Sequence, residues 1–467
     1  MRSKRLLVAL AHGLGLALTV GAVLLLSQTQ TVQAAGPWYV SSSGDDSDCL
    51  SWATACTTIN GALGKAGSGD TIYIDAGTYA ESLSLNNITL TLTGAGADTT
   101  VIDGGGTGRV VYVGSTAAVT ITGVTIRNGY QAIGNGGGIY CYDATLTLED
   151  AIVRDNSAGA SYDGGGLYAE ASTVALRATQ VLSNTANDGG GIAVLASTLT
   201  LADSTVAHNI AGQGGGGIQS FSSATSLSHS TLYSNTTDYG GGIYQIGAGA
   251  TLAITGSLIA ENVAEREGGG LGIMDDGSWV TIENSTISGN RAGNYGGGIE
   301  TRIPTTITHS TIVGNVADDD GDDTGNGGGL FAYPSSAHVY VQHTIIAGNV
   351  DRHNAAYGDC YRMSSGSVTS LDYNLVETVG NCAFGAGGDI TGRDPLLGPL
   401  QDNGGGTLTH ALLQGSPAIN AGDPAFAPPP EYDQRGPGFP RMTDGRIDIG
   451  AYELWPSIYL PLVLRDD

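Results

Sequence analysis

Few side chains in this sequence have the type and spacing to do chemistry. Asp275 and Asp276 stand about one repeat before Glu300 and Arg302. Three carboxylates and a guanidinium converging from neighbouring turns of a chain could serve acid–base chemistry. On so acidic a protein a solvated rim explains the same residues, so no catalytic residue is assigned. Asp318, Asp320 and Asp322 sit in one turn with Asp319 and Asp323. Hard carboxylates at that density suit Ca²⁺, the one cofactor raised by the sequence. EF-hand order fails, because the sixth position is Asp323 rather than Gly. A solvated acidic loop is the plainer account. There is no metal-spaced His pair and no nucleophile elbow, and a Gly triplet before Ile at a strand start is a turn rather than a phosphate loop.

The third candidate is a row of aromatics. A Gly triplet followed by Ile or Leu recurs eight times, at Ile139, Leu167, Ile192, Ile218, Ile243, Leu271, Ile299 and Leu330. If these residues point inward, the positions one and three further on point outward. Those positions hold Tyr140, Tyr142, Tyr168, Phe221, Tyr244, Phe331 and Tyr333. A solvated face should be polar, so this apolar one is expected either to stack on sugar rings or to lie under loops or the C-terminal segment. Cys141, two places after Ile139, should point inward as a free, buried thiol.

The elements that position these residues follow from the same repeat. An Asn recurs in step, at Asn156, Asn184, Asn209, Asn235, Asn262, Asn290, Asn315 and Asn349, with Asn128 one turn earlier. Eight residues before each of the eight is always aliphatic (Leu148 through Val341), as is the third before (Val153 through Ile346). Short β-branched runs of period 2 in units of about 25 residues predict an all-β, single-stranded right-handed parallel β-helix with three strands per rung. Residues 70–350 should make about eleven rungs, roughly 50 Å long at the strand spacing of a sheet. The Asn column suits a left-handed turn and a ladder of stacked amides. Thr57 to Ala66 carries apolar residues at helical spacing, an amphipathic helix that caps the first rung.

Composition agrees. The chain has 467 residues, 75 of them Gly, only 13% charged, with a formal net charge of −26. Gly without a three-residue period excludes collagen, and 41% hydrophobic content excludes disorder. The negative field excludes nucleic acid as a partner. A basic start, an apolar run and Val32-Gln33-Ala34 read as a secretory signal over residues 1–34, leaving no membrane span once it is cleaved. Export implies oxidising surroundings and pairs Cys49 with Cys56 and Cys360 with Cys382. The expected order is a cap over 35–69, the β-helix over 70–384, a C-terminal cap over 385–454 and a tail over 455–467. The tail is not an LPxTG sorting signal.

Several stretches resemble known families. Gly69-Asp70-Thr71-Ile72 through Gly77-Thr78-Tyr79 resembles the opening of pectin-lyase-like β-helix proteins. The Asn-x-Ala and Gly-Gly-Gly-Ile repeats resemble those of polymorphic outer-membrane proteins, except that the Gly is tripled, an aliphatic replaces their Phe and no membrane barrel follows. Asn403-Gly404-Gly405, Gly415-Ser416-Pro417-Ala418-Ile419 and Asp448-Ile449-Gly450-Ala451 are similar to the C-terminal region of choice-of-anchor β-helix proteins. These resemblances imply export and an extracellular or cell-surface protein. The pectin-lyase-like fold hosts lyases, hydrolases and esterases. However, no Lys follows Lys65 to serve as a lyase base, and the Asn-Thr-Asp and Gly-His-Gly motifs of polygalacturonase-type hydrolases are absent. The expectation is a monomeric, non-catalytic adhesion or binding protein for an extracellular polysaccharide or surface partner. A polysaccharide lyase or glycoside hydrolase is the alternative.

Overall fold

A computed structural model describes residues 36–274, 279–333, 337–442 and 445–455. The chain winds as a right-handed parallel β-helix of eleven turns. In each turn a strand after the Gly triplet (sheet 1, such as Ile139–Tyr142) leads into a second strand (sheet 2, such as Thr145–Glu149). A third strand follows (sheet 3, such as Ile152–Arg154). The three sheets hold 11, 13 and 13 strands. A fourth ladder of nine strands runs just after the Asn column, for example Ser157–Ala158. Its strands are two to five residues long, too short for an alternation to be read in the sequence.

The inward columns stack as the repeat requires. Leu201, Leu227 and Ile254 pair across successive strands of sheet 2, and all three are buried. Ile218, Ile243 and Leu271 do the same on sheet 1. The Gly triplets bring neighbouring turns into close approach. Gly240 is left-handed at φ 64°, and a Cβ on Gly241 or Gly242 would lie 2.2 and 2.6 Å from carbonyl oxygens of the next turn.

The Asn column forms the expected amide ladder, with one correction. Each Asn from Asn156 to Asn349 is buried, and from Asn184 onward its Oδ1 accepts the previous Asn's N–H and Nδ2–H, as between Asn209 and Asn235 at 3.0 Å each. The left-handed residue is the one before the Asn, for example Ser234, not the Asn itself. Asn128 is such a left-handed, exposed residue, and Gly129 holds the ladder position, donating to Asn156 Oδ1. The ladder ends in Asp359, whose carboxylate accepts both Asn349 donors. The last member has only to accept, so a carboxylate suffices there. A second ladder of Ser and Thr runs beside it, as where Ser204 N–H donates to Ser230 Oγ.

At the N-terminus a short helix, Ile59–Leu63, buries Ile59 and Ala62 against the first turn, and Thr58 caps it. The Cys49–Cys56 disulfide sits beside it, and Cys360–Cys382 closes the last turns. Cys141 is free and buried, as expected. The C-terminal region departs from expectation. Val379, Cys382 and Phe384 cover the open end of the core. Residues beyond about 397 instead fold back along the flank of the β-helix at sheet 3. Gln434 meets Thr286, His410 meets Ser288, and Ala451 N–H donates to Thr311 Oγ1. The polar Thr and Ser residues on that outer face make it a hydrogen-bonding seat for the returning chain. Buried Arg441 joins the two by donating to Asn284 Oδ1 and the His309 carbonyl while pairing with Glu453 at 3.4 Å. The signal segment, Asp275, Asp276 and the tail from 456 onward lie outside the described residues.

Candidate functional site

With sheet 3 covered by the C-terminal region, the outer face of sheet 1 stays open and forms a groove. Its floor is the column Tyr168, Ala193, Gln219, Tyr244, paired strand to strand. One wall comes from the residues immediately before each Gly triplet: Asp163, Asp188, Gly214 and Tyr239. The other comes from Leu195, Phe221 and Ile246. Two adjoining concavities of about 320 and 440 Å³ share Gln219 and Phe221. Burial of Ala193, small where its neighbours are large, opens the first.

Amide side chains fix the wall. Asp188 Oδ2 accepts from Asn187 Nδ2–H at 2.9 Å, and Asn135 Oδ1 accepts from Asp163 N–H at 3.0 Å. Each left-handed Gly that follows turns the chain and leaves the side chain pointing along the groove. Burial, reinforced by the neighbouring Asp188 charge, pushes the Asp163 carboxyl up to about 6. Burial raises Asp188 too, against its hydrogen bonds. On the floor, burial and then Glu170 and Asp163 push the Tyr168 phenol up to about 12.

The expected aromatic platform is only partly present. Tyr168 is 5% exposed and Phe331 is fully buried, so neither offers a ring face. The rings stack on one another instead. Tyr140 lies between Tyr112 at 5.6 Å and Tyr168 at 5.3 Å, and Phe331 between Tyr295 and Tyr361. Strand spacing is close to ring-stacking spacing, so successive aromatics satisfy each other rather than a ligand. Tyr140, Tyr244 and Tyr333 are half-buried, while Tyr142 and Phe221 are exposed.

Glu300 and Arg302 do come together, with Glu267 as a third member. Arg302 Nη2 lies 3.1 Å from Glu300 and 2.9 Å from Glu267, and its guanidinium sits 4.2 Å over the Tyr333 ring. One guanidinium faces two carboxyls. Burial first, and then Glu267, raise the Glu300 carboxyl well above its ordinary value, against the pull of Arg302. Glu300 is fully buried, so no substrate reaches it. That removes it as a catalytic acid and makes the trio a structural ion cluster. Asp318, Asp320 and Asp322 converge, with carboxylate oxygens within 4.8 Å of one another. Sequence reasoning missed Asp163, Asp188 and Glu267. The signal was an acidic residue directly before the Gly triplet, in the column Asn135, Asp163, Asp188, Gly214, Tyr239, Glu267, Tyr295, Asn326.

A family model described as right handed beta helix region matches residues 86–259. No curated protein matches the chain. Among solved structures, a pectate lyase, Pel9A, is 14% identical with a TM-score of 0.48, covering 91% of this chain and 97% of its own. XylC in complex with xylose is 9% identical with a TM-score of 0.40, covering 79% and 88%. A lacto-N-biosidase from Eubacterium ramulus is 11% identical with a TM-score of 0.38, covering 72% and 68%. At such identities none of them bears on this chain's function.

Proposed function

We propose that this is an exported, extracellular or cell-surface protein that binds a neutral polysaccharide in the groove on sheet 1. The observation that carries it is the open concavity in which Asp163, Asp188 and Gln219 face the exposed Phe221 ring. Carboxylates and a planar amide hydrogen-bond paired hydroxyls, and an aromatic ring packs on the apolar face of a sugar. From Tyr168 to Tyr244 the floor spans three strand spacings, about 15 Å, room for a short stretch of an extended glycan. Asp163 and Asp188 in the walls, on a chain of net charge −26, disfavour uronic acids, and the Arg266 guanidinium in the same wall is paired with Asp238 at 3.9 Å. Two disulfides agree with an oxidising location, and no helix among the described residues is long and apolar enough to cross a membrane. Calorimetry against neutral and uronic glycans tests the proposal. Binding of a neutral glycan, weakened at least tenfold by Phe221→Ala or Gln219→Ala at unchanged melting temperature, is expected. Binding of uronic glycans alone, or insensitivity to both substitutions, overturns it.

One observation favours a second reading, a glycoside hydrolase. Asp163, pushed up to about 6, stands on the turn next to Asp188, whose carboxyl burial also raises, and paired carboxyls of raised proton affinity are what an acid–base pair needs. Product release from the bound glycan, lost in Asp163→Asn and in Asp188→Asn, would establish it. Binding without release leaves the adhesion reading.

A further inference from the structure

We infer that the loop holding Asp318, Asp320 and Asp322 is a calcium site, separate from the groove. Residues 318–323 form a turn in which Asp318 and Gly321 are left-handed, at φ 55° and 69°. The three even-numbered carboxylates bring their oxygens within 4.8 Å of one another. Asp319, between them, is turned away into ion pairs with Arg291 at 3.3 Å and Arg352 at 2.8 Å. The two arginines therefore neutralise Asp319, which is not in the cluster.

Asp318 supplies the independent observation. It is 1% exposed, and its Oδ1 accepts the Asp323 N–H at 3.1 Å. Its Oδ2 is buried with no hydrogen-bond partner among the described residues. A buried, unpartnered carboxylate oxygen carries a large desolvation cost unless a cation or a proton meets it. Asp320 and Asp322 are exposed and bring two more carboxylates to the same point. The cluster is all oxygen with no nitrogen or sulfur, the preference of a hard cation. Its members come from a turn rather than from paired strands, which suits the variable coordination of Ca²⁺ better than the strict octahedron of Mg²⁺. The ion would fasten the long connection between Val316–Ala317 and Leu330–Ala332, fixing the entry to the turn that carries Phe331.

The test uses the full chain, stripped with chelator and titrated with CaCl₂ or MgCl₂ up to about 10 mM, well above the roughly 0.1–1 mM affinity of extracellular calcium modules. Calorimetry should report one site. Thermal unfolding should shift upward by a few degrees with Ca²⁺ and much less with Mg²⁺. Asp320→Asn and Asp322→Asn are surface changes that leave the fold intact, and each should abolish the calcium shift while keeping the chelator-treated melting temperature. No heat and no shift with calcium overturns the inference. So does a shift that survives both substitutions, or an equal shift with magnesium.

Discussion

Replacing Asn235 by Ala cuts the amide ladder at its middle. Four hydrogen bonds go. The Nδ2–H donations to the Val206 carbonyl and to Asn262 Oδ1 are lost, at 2.9 Å each, as are the two that Asn209 makes to Asn235 Oδ1. The Asn209 backbone N–H, fully buried, is left with no acceptor. An orphaned buried donor costs about 2 kcal/mol and each of the other three bonds about 1 kcal/mol, so the expected loss is about 5 kcal/mol. An exposed control on sheet 2, Thr251→Ala, should stay within about 0.5 kcal/mol. Asn235→Asp separates direction from size. A carboxylate can still accept from Asn209 but cannot donate to Val206 or Asn262, so the cost should shrink as pH falls and the carboxyl regains a proton. At Asp359, where the ladder ends, Asp→Asn keeps the acceptor for Asn349 but loses the one for the Thr378 N–H at 2.7 Å, so a cost of about 1–2 kcal/mol is expected. Urea unfolding by circular dichroism at pH 7 and pH 4 measures each. If Asn235→Ala costs less than about 1 kcal/mol, or Asn235→Asp is no better tolerated at low pH, the ladder is not what holds the turns together.

Burial pushes the Cys141 thiol up to about 11, so Ellman's reagent should find no free thiol in the native protein and one after unfolding. His309 and His343 lie at the seat of the C-terminal region, held down to about 2 and about 4 by burial and then by Arg441. The unfolded state takes up protons below about 6.5 while the native state does not, so their stabilisation is complete above that pH and lost as pH falls. For His309 the loss at pH 4 is about 3 kcal/mol, visible as a shallower pH dependence of unfolding in His309→Leu. Glu453, raised to about 8 mainly by burial, works oppositely between about 4.5 and 8, stabilising below that window and losing its contribution as pH rises through it. The difference between wild type and variant therefore isolates the histidine. In the ion cluster, Glu300→Gln keeps an acceptor for Arg302 and relieves the repulsion from Glu267, so it should cost under about 1 kcal/mol, whereas Arg302→Met strands Glu267 and should cost about 3 kcal/mol in urea unfolding.

Periodicity alone was enough for the β-helix, because one turn can bury its aliphatic residues only against copies of itself. The repeated columns Leu148 to Val341 and Val153 to Ile346 therefore had to stack. The same logic exposed the Asn ladder, the inward Cys141 and, with export assumed, the two disulfides. It stopped where contacts are not between like positions. The sequence pattern cannot say that residues beyond about 397 return along sheet 3, because Gln434–Thr286 and Arg441–Asn284 join parts of the chain about 150 residues apart with no shared period. That return decides which face is free, and so where a ligand can bind. Outward alternation correctly placed Tyr168 and Phe331 on the outer side of sheet 1, yet only the stacked neighbours revealed that their rings are spent on each other. Asp163 and Asp188 looked like ordinary turn residues. Burial beside the Gly corners, a property of the assembled turns rather than of either residue, raises their proton affinities.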